Sequence, residues 1–100
     1  MEKLVGLLHL TKKAGKLLLG QKIVFSFSAK GKIHLILLAS DTGSALRKKL
    51  IHDKPVTINW SSDQFGEVFG RNKISVAGII DSGMAIEILK IIKSEDLIAV

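Results

Sequence analysis

The architecture hangs on the stretch Ile33-His34-Leu35-Ile36-Leu37-Leu38-Ala39-Ser40, followed by Asp41. It is a near-continuous apolar run of strand length. A run of this kind reads as a strand buried on both faces, in a sheet with helices above and below. His34 is its one interruption, and the run predicts a hydrogen-bonded histidine in the core.

Working outward, Leu4, Leu7, Leu8, Thr11 and Ala14 recur at helical spacing, with Lys3, Gly6, His9 and Lys13 on the other side. Gly15 reads as the helix stop, and Lys16-Leu17-Leu18-Leu19 as a short strand. Gly20-Gln21-Lys22 breaks the pattern. A second helix over 21–30 is expected, with Ile23, Val24 and Phe27 as its core row and Gly31 as its end. After the central strand, Asp41 or Thr42 is the expected N-cap of a third helix reaching His52. Val56–Trp60 reads as a third strand. Ser61-Ser62-Asp63-Gln64 has the form of a capping box and opens a fourth helix to Phe69. Ile74–Ile80 is the fourth strand, Asp81-Ser82 caps a last helix, and 97–100 forms an edge strand or a packed tail. Helices and strands thus alternate along the chain. The fold class this predicts is α/β, a three-layer α/β/α sandwich on a four-stranded mixed sheet, in one domain over 1–100.

The formal net charge of +6 is unevenly placed. Residues 1–50 hold ten Lys and Arg against Glu2 and Asp41; residues 51–100 hold five against seven acids. The asymmetry suggests a face for a polyanion. An apolar share of 47% argues against disorder. The chain has no cysteine, which excludes thiolate metal sites and suits a reducing compartment. No apolar run approaches the ~20 residues of a membrane span. A cytoplasmic protein without a membrane partner is the expectation.

Catalytic signatures are weak. Ala14-Gly15-Lys16-Leu17 fails as a phosphate loop because leucine follows the lysine and Leu10 stands where the first glycine belongs. Neither GxGxxG nor GxSxG occurs. His9, His34 and His52 lack metal-ligand spacing. Asp41 and Asp81 follow strands, where catalytic carboxylates sit, but both precede helices, where capping is the simpler role. No enzyme activity, cofactor, metal or small-molecule substrate is expected.

A glycine before a helix lets a polyanion backbone approach the free N–H groups of the first turn. Lys12-Lys13-Ala14-Gly15-Lys16 and Gly20-Gln21-Lys22 surround one short strand in this way. Together with Gly6–Thr11, Ile36–Asp41, Lys48-Lys49-Leu50, Phe65–Arg71 and Val76–Asp81, these segments resemble bacterial YlxQ-type proteins of the large-subunit ribosomal protein L-seven-Ae superfamily. The resemblance runs over about residues 4–90. It implies recognition of kink-turn RNA, with the ribosome as the setting. By position it assigns one RNA contact surface to Gly20, Gln21, Lys22, Ile23 and Ser26. A second falls on Arg71, Asn72, Lys73, Ile74, Ser75, Val76 and Ala77, and Lys16 and Lys30 become supporting phosphate contacts. The family's strongest readers carry Asn-Glu at the start of the second helix and a lysine three residues beyond the Glu. Lys22, Ile23 and Ser26 stand there in this chain, which implies backbone binding with weaker or different base readout.

The expectation is therefore a monomeric RNA-binding protein of the cytoplasm with structured, ribosomal RNA as its partner. The alternative is a protein–protein adaptor that keeps the fold without stringent RNA readout, motivated by Ile23, Ser26 and Phe25. A small-ligand enzyme using Asp41 or Asp81 has the least support.

Overall fold

The central apolar run forms a four-residue strand with every residue buried, in a computed structural model that describes residues 2–99. In chain order the elements are α1 (Glu2–Lys13), β1 (Leu17–Leu19), α2 (Gln21–Ala29), β2 (Leu35–Leu38), α3 (Ser44–Lys49), a 3₁₀ turn (Ile51–Asp53), β3 (Val56–Thr57), α4 (Ser62–Val68), β4 (Val76–Ile79) and α5 (Ser82–Ser94). The sheet order is β1-β4-β2-β3. β4 runs antiparallel to both neighbours, with Leu19 opposite Ala77 and Leu38 opposite Val76, while β2 and β3 are parallel. The sheet is thus four-stranded and mixed, as expected.

Side chains along a strand alternate between faces, and this divides the core in two. Leu17, Leu35, Leu37, Ala77 and Ile79 pack with Leu4 and Leu8 of α1, Phe65 of α4, and Ile88 and Ile92 of α5. Leu18, Ile36, Leu38 and Val76 pack with Val24 of α2 and Leu46 of α3. The three layers are therefore α1/α4/α5, the sheet, and α2/α3. Trp60, the chain's one tryptophan, is 1% exposed and meets Phe65 edge-on, ring centroids 5.6 Å apart.

Three helices end alike. After α1, α2 and α4 the chain turns left-handed at Gly15, Gly31 and Gly70. In each case the next residue's N–H reaches back to the last turn, as in Lys16 to Thr11 (3.0 Å) and Arg71 to Gly66 (2.9 Å). The Ser61–Gln64 capping box is formed in both directions. Asp81 caps α5, accepting from the Met84 N–H at 2.8 Å.

Three expectations are corrected. His34 is exposed rather than buried, because the strand begins one residue later; only its backbone N–H is held, by Ile79 (2.9 Å). α3 is capped by Gly43 without a side-chain bond, not by Asp41 or Thr42, and breaks at Leu50 into the 3₁₀ turn. Ile23 is 41% exposed. It sits about 100° round α2 from Val24, and the sheet takes only the Val24 side. Phe25 is half-buried, with the Lys49 ammonium 5.8 Å from its ring centroid. At the chain's end, Ile98 bridges Ile58 in antiparallel fashion, so the segment covers the outer edge of β3; Val100 lies outside the described residues. No helix among the described residues is long and apolar enough to cross a membrane.

Candidate functional site

β1, β2 and β3 all point toward one end of the sheet, and β4 starts there. The loops leaving the first three strands therefore converge with the loop entering the fourth. Gly20 closes this end. Its backbone, at φ 104° and ψ 161°, lies where residues with a Cβ rarely go. Its N–H donates to the Val76 carbonyl (3.0 Å), and its own carbonyl accepts from the Val24 N–H (3.3 Å). The N–H groups of Gln21, Lys22 and Ile23 precede the first closed helical bond and meet no side-chain cap. Leu19, Gly20, Gln21, Lys22, Ile23 and Ser26 line a shallow groove of about 550 Å³.

The Gly20–Val76 bond joins the two surfaces assigned from the sequence. Arg71, Asn72 and Lys73 are exposed on the loop entering β4. Ile74 and Val76 are core residues, 3% and 0% exposed, and Ala77 is fully buried. As side-chain contacts these three are corrected, since each is held in one of the two cores. The Ser75 carbonyl is also engaged, by the Ala39 N–H (2.9 Å) and the Thr42 hydroxyl (3.2 Å).

Lys16 and Lys30 stand elsewhere. The Lys16 carbonyl accepts from Ile80, at the far end of β4, so β1 separates Lys16 from Gly20. Lys30 follows Lys22 and Ser26 at successive four-residue steps along α2, reaching the far end with its ammonium 5.7 Å from the Phe27 ring centroid. The helix thus offers a line of polar positions rather than one cluster.

Sequence reasoning missed three devices that shape this end. Asp41 accepts from both the N–H and the hydroxyl of Ser62, at 2.8 and 2.9 Å. It caps the first turn of α4 rather than its own helix. These bonds, the backbone bond first, hold its carboxyl below the ordinary aspartate range, with Lys73 adding a small electrostatic share. Arg47 donates to the Thr42 carbonyl (3.0 Å) and the Thr57 hydroxyl (2.7 Å), tying the β2 exit to β3. Gly66 lets the 71–72 backbone lie directly on α4: a Cβ there would stand 2.6 Å from the Arg71 carbonyl oxygen. Each device spans distant positions or an absent side chain, which local patterns do not register.

The charge asymmetry becomes a difference between layers. α2 and α3 contain Lys22, Arg47, Lys48 and Lys49 and no acid, while α1, α4 and α5 mix Lys3, Lys12, Lys13, Lys90 and Lys93 with Glu2, Asp63, Glu67 and Glu87. The ion pair Glu87–Lys90, at 3.7 Å, lies within α5 on the far layer. No cluster of metal-ligating side chains occurs among the described residues.

No family model matches the chain. No curated protein matches it either. The chain is similar to a solved structure of a protein of unknown function from Bacillus halodurans, with a TM-score of 0.80 and 28% identity. The match covers 91% of this chain and 97% of that one. The two share the α/β/α fold.

Proposed function

We propose that the protein binds structured RNA, non-enzymatically, through the strand-end groove and the first turn of α2. One observation carries the reading: the Gly20–Val76 bond ties the uncapped first turn of α2, with Lys22, to the start of β4, and the loop entering β4 at that same end of the sheet exposes Arg71, Asn72 and Lys73. Bent RNA crowds phosphates from two strands, and two cationic segments at one end of the sheet suit that geometry better than a single stripe. Gln21 and Lys22 supply donors for base edges; the basic α2/α3 layer supplies attraction at longer range. The resemblance to kink-turn binders points to the same loops, and makes ribosomal RNA in the cytoplasm the natural target of a single copy.

The test is a salt-titrated binding assay on a kink-turn hairpin and a straight duplex. Affinity should fall with salt at roughly 0.9 log units per phosphate contact. Lys22→Ala should cost about 1–3 kcal/mol if it reaches a base edge. Lys16→Ala, beyond the far end of β1, should cost less. Binding that ignores salt, or treats both RNAs alike, would leave the adaptor reading as the better one.

A further inference from the structure

A second groove lies away from the strand-end loops, between α3, the 3₁₀ turn and β3. It holds about 400 Å³, and Leu38, Ile51 and Pro55 provide apolar lining. Arg47, Lys48 and Lys54 also line it, with no carboxylate among the lining side chains. The acid nearest in sequence, Asp53, is engaged on another side, accepting from the Ser28 hydroxyl of α2 at 2.8 Å. Ile51 is 63% exposed, although it borders a groove able to bury it.

We propose that this groove docks a segment of a partner protein in which bulky apolar side chains are flanked by carboxylates. Charge complementarity selects that occupant: the exposed ammonium groups of Lys48 and Lys54 attract anions, while Arg47 is held by Thr42 and Thr57, and the apolar lining needs an apolar filler. A phosphate backbone would meet the first demand and leave the second unmet. The volume suits one or two large side chains. The segment binds through its side chains rather than by adding a strand. The outer edge of β3 is already taken, the Ala99 N–H donating to the Thr57 carbonyl (2.9 Å) and the Asn59 N–H to the Leu97 carbonyl (2.7 Å). Lys54 adopts a left-handed backbone at φ 49° just before Pro55, so the rim has a rigid corner that sets its ammonium beside the groove. The proposal does not depend on the RNA reading.

The experiment is an anisotropy titration with a fluorescent peptide alternating glutamate with leucine and phenylalanine. One control peptide has glutamine for glutamate, and a second has serine for the apolar residues. The parent peptide should bind saturably, and each control should lose about tenfold, the size of one well-placed contact. Ile51→Asp, and separately Lys48→Glu with Lys54→Glu, should each weaken the parent peptide about as much. Both alter exposed side chains, so folding is preserved and is checked by Trp60 fluorescence. Lys22→Ala should leave peptide binding unchanged. Absence of saturable binding, or equal binding of the glutamine peptide, would overturn the proposal. So would a double charge reversal that weakens kink-turn RNA but not the peptide, since the groove would then be a nucleic-acid surface.

Discussion

Adding one methyl group at Gly66 should have the opposite effect to adding it at Gly6, although both glycines lie inside helices. At Gly66 the new Cβ would stand 2.6 Å from the Arg71 oxygen, 2.7 Å from the Asn72 oxygen and 2.9 Å from the Asn72 carbonyl carbon, where ordinary contact begins at 3.4 Å. All three are backbone atoms, so no rotamer change relieves the overlap. Either α4 shifts or the 71–72 loop lifts, and the Gly66 carbonyl risks its bonds to Phe69 (3.0 Å) and Arg71 (2.9 Å). Overpacking of this kind costs about 1–3 kcal/mol, and the better helix propensity of alanine returns up to about 1 kcal/mol. Gly66→Ala should therefore destabilise by roughly 1–2 kcal/mol. At Gly6 nothing lies within 4 Å, so the propensity gain stands alone and Gly6→Ala should stabilise by about 0.5–1 kcal/mol. For a domain of this size each kcal/mol moves Tm by about 4–8 °C. Urea denaturation followed by Trp60 fluorescence and circular dichroism reads both variants on one scale. If Gly66→Ala matches or exceeds the parent, or both substitutions shift stability in the same direction, the close packing of the loop on α4 is wrong.

Two further outcomes follow from devices at the same end of the sheet. Asp41 has its carboxyl held below its unfolded value by Ser62, so its stabilisation is present above the unfolded pKa of about 3.9 and lost as pH falls through the folded one. The urea midpoint of the parent should drop across that acid window more steeply than that of Asp41→Asn; parallel acid limbs would show that the Ser62 bonds do not form. Arg47→Lys keeps the charge but not the fork that spans the Thr42 carbonyl and the Thr57 hydroxyl, and should cost about 1–2 kcal/mol in the same assay. An unchanged midpoint there would mean that the guanidinium contacts carry no net stability.

Much of the fold was legible locally. The two-sided apolar run of β2, the 3.6-residue row of α1 and the Ser61–Gln64 box are encoded within a few residues of themselves, so their elements appear where expected. Local patterning is weaker at element ends. His34 reads as part of an apolar run but falls before the first strand residue, and Ile23 reads as part of a core row but lies off the side that the sheet covers.

The candidate site divides the same way. Composition alone determined that the first half of the chain is cationic, and the Gly20-Gln21-Lys22 step alone marked a helix start that could accept an anion. Only tertiary structure decided which residues share a surface. The antiparallel pairing of β1 with β4 puts Gly20 against Val76 and leaves Lys16 at the other end, turns Ile74 and Val76 inward, and sends the Asp41 carboxylate to cap a helix twenty-one residues away. The physical reason is that helix and strand periodicities repeat over a few residues and are written in the local sequence. Strand order and the contacts between distant segments arise when whole elements bury their apolar faces together, and no short window of sequence contains both partners.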